Sequence, residues 1–600
     1  MAVSTTGKYE VHNQPVEVVL AWLKGGEIAI PEIQRPFVWD AVKVRNLMDS
    51  LYQGYPIGYL IAWQSEKVRL KDGRGSAGRK ILIDGQQRVT ALAAAILGWQ
   101  IVQSDYKKSR IRIAFHPLEE RFEVCNTAIE RDGAWFPDIA KIMAAGASLI
   151  SINRDYGARN PEADERKVES SLQRLHLVLT KQLGIIELSH DLDIETVTEI
   201  FIRINSMGVS LSQADFAMSK IASTEQYGGP MLRKAIDFFC HLAGEPSFYD
   251  TLKEVDPEFC ASPFFQDMSW LRNENDDLYD PSYTDMLRVA FTSEFGRGRL
   301  ADLVSLLSGR NFETRAFEEG IAESAFSRLE MGIRSFMNET NFKRFVMIVR
   351  SAGFVTPWMI RSQNVLNYSY AIYLKLREME VNAAIIERAV RRWVVLSLLT
   401  ARYSGSFESQ IDSDVRQIAS RGIEAVLAEV EASELSEAFW RLSLPQELES
   451  STSNNAHFSI FLASQVKAKD HGFLSRDIYV GDLITHLGDI HHIFPKDLLK
   501  RHGMQKGKYN QVANYVYMQS EINIRIGNKA PRDYLGKLRT QFGGEPQIGG
   551  IENEEQLQAN LRMHCVPYGI VEMDVSGYEY FLTERRQLVA KKIEAYYELL

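Results

Sequence analysis

The segment at residues 488–528, which reads GDIHHIFPKDLLKRHGMQKGKYNQVANYVYMQSEINIRIGN, constrains this chain more than any other part of its sequence. It begins with two adjacent histidines, His491 and His492. On a strand, neighbouring side chains point to opposite faces, so one imidazole could bind a metal while the other faces a water molecule. A histidine near its ordinary pKa of about 6.5 can accept a proton from that water at neutral pH.

Two asparagines follow the histidines at positions that a strand and a helix would bring back to them. Tyr515–Met518 is predicted to be a short strand directly after Asn514. A helix is predicted to start next, with Ser520 as its cap and Asn523 close behind. A strand pair followed by a helix would place Asn523 over the two histidines.

The order and types of these residues, with Pro495 closing the first motif, resemble the HNH or ββα-metal nuclease family in its His-His-Ile-x-Pro variant. The resemblance implies that His491 and Asn523 hold a divalent metal, that His492 is the general base and that Asn514 braces the loop. Such a metal stabilises charge on the phosphate and on the leaving 3′ oxygen. Many members have Asp where His491 stands, and an imidazole makes the site less negative. The expected metal is therefore not strictly Mg²⁺ but Mg²⁺ or Mn²⁺, with Ni²⁺ or Zn²⁺ as further options.

Positive charge is concentrated around this motif. The formal net charge of the whole chain is −9, which argues against a protein that coats nucleic acid indiscriminately. Residues 496–539, however, contain ten Lys or Arg against three Asp or Glu. The patch predicts contacts to a DNA backbone, and a solvated basic face is the alternative. The predicted DNA-binding residues are Lys496, Lys500, Arg501, Arg525 and Lys529.

A second pattern lies near the N-terminus, in ILIDGQQRVTAL at residues 81–92. An apolar strand runs into Asp84-Gly85, and a helix is predicted to begin at Gln86, so that Gln87 and Arg88 lie in its first turn. The free N–H groups and positive dipole end of such a helix favour phosphate. Arg88 could add a bidentate contact. The alternative is that Asp84 merely caps the helix while Arg88 bridges to a surface carboxylate.

Two more stretches accompany this one, IPEIQRPFVWD at residues 30–40 and FIRINSMGVSLSQADF at residues 201–216. Together the three resemble the N-terminal domain of GmrSD-type modification-dependent restriction enzymes, which is related to the ParB and sulfiredoxin-like fold. The resemblance implies binding and hydrolysis of GTP, ATP or another nucleoside triphosphate, and sensing of a DNA modification. Asn205 either belongs to this nucleotide-binding site or simply ends a helix. The implied nucleotide-binding residues are Gln34, Arg35, Asp84, Gln86, Gln87 and Arg88, with Asp84 and Gln87 catalytic.

The predicted fold class is α+β and predominantly helical, in three domains. Residues 1–233 are expected to form a ParB/sulfiredoxin-like α/β domain, residues 234–465 an all-α connecting domain, and residues 466–600 an HNH nuclease domain with a C-terminal helix. Helical periodicity is clearest at residues 365–377, 383–403 and 408–431. The break RYSGSFESQI at residues 402–411 is interpreted as a simple loop, with a nucleic-acid contact as the alternative.

These features predict a cytoplasmic, anti-phage type IV restriction endonuclease that cleaves or nicks modified double-stranded DNA under control of nucleotide hydrolysis. The longest apolar stretch, residues 89–102, is too short to cross a bilayer, so no membrane partner is expected. A homodimer is compatible with the sequence. The alternatives are a phosphorothioate-sensing DNA nickase, and a DNA- or nucleotide-binding sensor whose HNH domain is inactive.

Overall fold

The computed structural model describes residues 8–29, 39–64, 80–102, 108–189, 192, 196–197, 200, 212–274, 278–486, 488–545 and 547–600. The chain divides into two compact units, Met1–Arg233 and Lys234–Leu600. Helices predominate and strands form small sheets, which agrees with the predicted α+β class. The predictions at Gln34, Arg35 and Asn205 lie outside the described residues. No helix in the described part of the chain has both the length and the apolar character that a membrane span requires.

The first unit is built on a five-stranded mixed sheet with the order β1-β9-β3-β4-β2. Strand β9 runs parallel to β3 and antiparallel to β1, and β3 runs antiparallel to β4. The described strands of this unit are β1 Tyr9–Pro15, β2 Ile28–Ala29, β3 Leu60–Gln64, β4 Lys80–Asp84, β5 Ile101–Val102, β6 Lys108–Ser109, β7 Ile113–His116, β8 Arg121–Val124 and β9 Gln182–Leu188.

Helices cover this sheet and form one buried core with it. The helix Ala41–Gln53 starts and ends where its sequence predicts, because Asp40 accepts the Lys43 N–H at 2.7 Å and Gly54 closes the helix with a positive φ of 78°. The other α-helices lying wholly in this unit are Val16–Gly25, Gln86–Leu92, Thr127–Arg131, Ile139–Met143, Leu149–Arg159, Glu165–His176 and Gln213–Ser223. A π-helical turn, Ala93–Leu97, extends Gln86–Leu92.

Between residues 234 and 465, the described residues form helices and no strand ladder, as predicted for this part of the second unit. The helical pattern at residues 408–431 is present as two helices, which Gly422, with φ of 82°, separates. The α-helices are Gly229–Gly244, Phe248–Val255, Pro257–Cys260, Pro263–Asp267, Tyr283–Phe295, Leu300–Leu307, Glu319–Met337, Glu339–Ser351, Gln363–Glu378, Ala383–Leu399, Phe407–Arg421, Ile423–Glu434, Leu444–Glu447 and Ala456–Ala468.

The rest of the second unit contains an antiparallel strand pair, β10 Asp489–His492 and β11 Tyr515–Met518. A single buried core joins β11 to the C-terminal helix Tyr578–Glu598, whose Phe581 and Leu582 belong to it. The other α-helices are Val480–Thr485, Lys496–Arg501, Lys506–Tyr509, Ser520–Ile526, Pro531–Arg539 and Glu554–Met563. Ser520 is the first helical residue and Gln519 precedes it without a side-chain cap, so the prediction that Ser520 caps this helix was wrong.

Candidate active site

The two adjacent histidines lie on β10 and face different sides of the strand pair. In the antiparallel register, His491 is opposite Val516 and His492 is opposite Tyr515. Directly opposed residues place their side chains on the same face of a sheet. Val516 is packed in the core that also contains Ile522 of the helix Ser520–Ile526. His491 therefore shares a face of the strand pair with the core residue Val516, and His492 lies on the other face.

Asn523 lies on the helix Ser520–Ile526 and is half-buried. The strand–strand–helix order predicted for this segment is therefore present, and β11 shares a buried core with this helix. Imidazole nitrogen and amide oxygen are both metal donors, and neither carries charge. Among the described residues no group of three or more His, Cys, Asp or Glu could hold a metal ion.

Asn514 is fully buried and binds the chain immediately after the histidines. Its Oδ1 accepts the Phe494 N–H at 2.8 Å, and its Nδ2 donates to the Phe494 carbonyl at 3.0 Å. Its own carbonyl accepts the Ile493 N–H at 2.9 Å. These three bonds hold the turn that leaves β10, which is the geometry expected of a residue that braces this loop.

His492 has a neighbour that sequence reasoning missed. Its Nε2 lies 3.1 Å from Oδ1 of Asn510. Because an amide oxygen only accepts hydrogen bonds, Nε2 must carry the proton, and the lone pair of the neutral ring is then on Nδ1. Asn510 stands in the same run KYNQVAN as Asn514, and this second asparagine was the only signal in the sequence.

The surroundings of His492 favour its neutral form. The ring is half-buried and packs edge-on against Tyr515, with centroids 5.1 Å apart. Burial is the largest cause that lowers the pKa of His492, and the nearby Lys496 and His491 act in the same direction. The hydrogen bond to Asn510 opposes them. A neutral imidazole at neutral pH is the form that can accept a proton from water.

The predicted DNA-binding residues lie on the elements that follow these strands. Lys496, Lys500 and Arg501 are exposed on the helix Lys496–Arg501, and both lysines approach the ring of Tyr509, at 5.9 and 5.6 Å. Lys529 is exposed as well, whereas the exposed Arg525 already donates to the Gln547 carbonyl. Exposed positive charge thus lies on the helix Lys496–Arg501 and, at Lys529, in the loop after the helix Ser520–Ile526.

In the first unit, Asp84 and Arg88 pair with each other. Arg88 Nη2 lies 2.8 Å from Asp84 Oδ2, and Arg88 Nη1 donates to the Ile57 carbonyl at 3.2 Å. Gly85, with φ of 93°, precedes the helix, so Asp84 does not cap it. Gly58 lies so close that an added Cβ would fall 2.5 Å from Arg88 Nη1. The arginine is therefore held in a fixed position at the end of β4.

Gln86 is buried and Gln87 is half-buried, both in the first turn of the helix Gln86–Leu92. The structure thus brings four of the six predicted nucleotide-binding residues together at one strand end.

The RYSGSFESQI break at residues 402–411 is tied to the following helix by a buried ion pair. Arg402 Nε lies 2.9 Å from Oδ2 of Asp414, whose side chain is fully buried. Tyr403 donates its hydroxyl to the same carboxylate at 3.0 Å, and Gln410 donates to its other oxygen at 3.0 Å. These contacts favour a structural loop over a nucleic-acid contact.

Comparison with known proteins supports the N-terminal resemblance. Residues 19–222 match the model of the GmrSD restriction endonuclease N-terminal domain. The match lies within the first unit and supports the predicted resemblance of that part of the chain. The chain is also 21% identical over 556 residues to an uncharacterized protein of Methanocaldococcus jannaschii, across 86% of this chain and 84% of the relative. The HNH assignment of residues 466–600 stays a prediction.

Proposed function

We propose that this chain is a type IV restriction endonuclease that cleaves or nicks modified phage DNA, with its nuclease centre at His491, His492 and Asn523. The observation that supports the proposal most is the hydrogen bond between His492 and Asn510, because it sets the ring nitrogen that can act as a base. The match of residues 19–222 to a restriction endonuclease domain supports DNA as the substrate.

In this proposal the residues of the chain have separate tasks. Lys496, Lys500, Arg501 and Lys529 bind the DNA backbone and orient the scissile phosphate. His492 accepts a proton at Nδ1 from the water that attacks phosphorus, and Asn510 keeps the other ring nitrogen protonated. Asn514 holds the turn after β10, so that the base keeps its position. A divalent ion bound by His491 and Asn523 would supply positive charge for the phosphate and the leaving 3′ oxygen.

A nucleotide site in the first unit regulates cleavage in this proposal. Asp84 and Arg88 form a half-buried pair at the end of β4, and the first-turn N–H groups of the helix Gln86–Leu92 lie directly after it. A triphosphate would compete with Asp84 for the guanidinium, since phosphate oxygens also accept its bidentate hydrogen bonds. Asp84, once released, could bind the nucleotide's cation or the attacking water, with Gln87 orienting that water.

The decisive assay is cleavage of modified DNA. Purified protein is incubated with glucosylated or methylated phage DNA and with unmodified plasmid, in Mg²⁺ or Mn²⁺, with and without nucleoside triphosphate, beside an EDTA control. We expect metal-dependent cutting of a modified substrate and intact plasmid. Absence of cutting on every modified substrate would contradict the proposal and favour a sensor without nuclease activity.

A further inference from the structure

A cation lies inside the second unit, and no carboxylate of the described residues pairs with it. Arg585 of the C-terminal helix Tyr578–Glu598 is only 1% exposed. Burial lowers the pKa of Arg585 to about 10, and the titratable groups that oppose the shift are Cys565 and Tyr534, neither of which is an acid of the Asp or Glu type. Its Nη2 has no hydrogen-bond partner within the described part of the chain. A buried charge is costly, and well-packed apolar side chains often replace one without loss of stability.

Three backbone carbonyls take the hydrogen bonds of this guanidinium. Nε donates to His564 at 3.1 Å, and the single atom Nη1 donates to both Ala513, at 2.8 Å, and Tyr515, at 2.9 Å. Ala513 and Tyr515 are the two neighbours of Asn514. Arg585 therefore fixes the carbonyl groups of the two residues that flank Asn514.

Residues 513–515 contact the candidate site through Asn514 and through Tyr515. Asn514 holds both backbone groups of Phe494, two residues after His492. Tyr515 is the partner of His492 in the strand register, and its ring packs against the imidazole. A displacement of residues 513–515 would thus reach His492 by two routes, through the turn after β10 and through the facing strand.

We infer that Arg585 is a positioning residue of the nuclease centre, which holds residues 513–515 so that Asn514 and Tyr515 keep His492 in place. The inference rests on the proposed function for its catalytic consequence. Its structural part, the effect of Arg585 on the position of His492, can be measured whether or not the protein cleaves DNA.

Lys592 provides a matched control on the same helix. Its ammonium pairs with Asp470 and donates to the Met563 carbonyl at 2.7 Å. Like Arg585, Lys592 is a largely buried cation that donates to a carbonyl at the C-terminal end of the helix Glu554–Met563. Neither of its two contacts involves residues 513–515. Lys592→Met therefore removes a comparable tether and leaves the Asn514 segment untouched.

The experiment records the imidazole resonances of His492 by NMR in protein labelled at histidine, assigned with His492→Gln. The compared chains are wild type, Arg585→Met, Arg585→Lys and Lys592→Met, each checked for folding by thermal melting. We expect the His492 signal to move or broaden in Arg585→Met and to stay unchanged in Lys592→Met. Arg585→Lys, which keeps a donor, should be intermediate, and it replaces Arg585→Met if that variant does not fold.

The kinetic comparison uses the modified DNA of the cleavage assay. We expect kcat to fall by at least about tenfold in Arg585→Met with KM nearly unchanged, since displaced catalytic groups lose rate more than substrate affinity. Lys592→Met should keep its kcat even if its melting temperature falls equally. An unchanged His492 signal in folded Arg585 variants would overturn the inference, whereas a moved signal in a protein that never cleaves DNA would count against the proposed function alone.

Discussion

Asn514 and Phe494 are joined by a reciprocal pair of hydrogen bonds. The Asn514 amide accepts the Phe494 N–H at 2.8 Å and donates to the Phe494 carbonyl at 3.0 Å, in a fully buried position. One side chain thus satisfies both backbone groups of a residue that leaves the histidine strand. These two hydrogen bonds fix the conformation of the turn after His492.

The substitution Asn514→Asp tests that pair. A carboxylate cannot donate, so one of its oxygens would face the Phe494 carbonyl in a buried site, which should lower the free energy of unfolding by about 3 kcal/mol. Chemical denaturation measures the change, and cleavage should be lost in parallel. The exposed Asn528→Asp is the control for stability and should unfold with the free energy of wild type. Equal stability of the two variants would contradict this account of the turn.

Asn510→Ala removes the partner of His492 without touching a proposed metal donor. The imidazole could then adopt either tautomer and rotate, so we expect kcat to fall by about one order of magnitude while KM for DNA stays constant. Single-turnover cleavage on modified DNA measures the effect. Gln505→Ala, an exposed amide that precedes the next helix, is the control. A normal rate in Asn510→Ala would show that the 3.1 Å contact does not orient the base.

Asp84→Ala and Arg88→Ala test the nucleotide site of the first unit. Both should abolish triphosphate turnover. In the proposal, the Arg88 guanidinium binds phosphate, and the Asp84 carboxylate, released from Arg88, binds the nucleotide's cation or the attacking water. Turnover is measured as phosphate release with GTP and with ATP. Arg112→Ala, which breaks the exposed pair with Glu130, should leave it intact. Full turnover in both Asp84 and Arg88 variants would remove the nucleotide assignment.

His564 should make the second unit sensitive to acid. It accepts a hydrogen bond from Gln465 and donates one to the His471 carbonyl, and burial lowers its pKa to about 3. The unfolded chain, with an ordinary pKa of about 6.5, binds the proton more readily, so stability is complete above that pH and is lost as pH falls from there toward 3.

We expect the unfolding free energy of wild type to fall by up to about 1.4 kcal/mol more per pH unit than that of His564→Gln between about pH 6 and pH 4. Denaturant titrations at several pH values compare the two chains. Parallel slopes would mean that His564 is protonated equally in the folded and unfolded states.

Local signals in the sequence predicted much of this fold. Asp40 and Gly54 set both ends of one helix through contacts within a turn, and the apolar run Tyr515–Met518 predicted a strand. One local prediction was wrong, since Gln519 took the position expected for Ser520. Local signals located this helix but not its first residue.

The contacts that shape the candidate site depend on distant parts of the chain, and these were harder to predict. Asn510 reaches His492 from 18 residues away, and Arg585 reaches Ala513 from 72 residues away. No periodic pattern links such positions, because tertiary packing brings them together. The histidines and Asn523 were proposed as site residues because their residue types carry recognisable chemistry.

The most direct test of the central claim is the single-turnover cleavage rate of His492→Ala compared with His502→Ala, both on modified DNA with Mn²⁺. His502 is an exposed histidine at the end of the helix Lys496–Arg501, so it controls for the loss of an imidazole next to the basic surface. Removal of a general base should lower the rate by at least about 100-fold in His492→Ala, while His502→Ala keeps the wild-type rate. Cleavage by His492→Ala at the rate of His502→Ala would show that His492 is not the base.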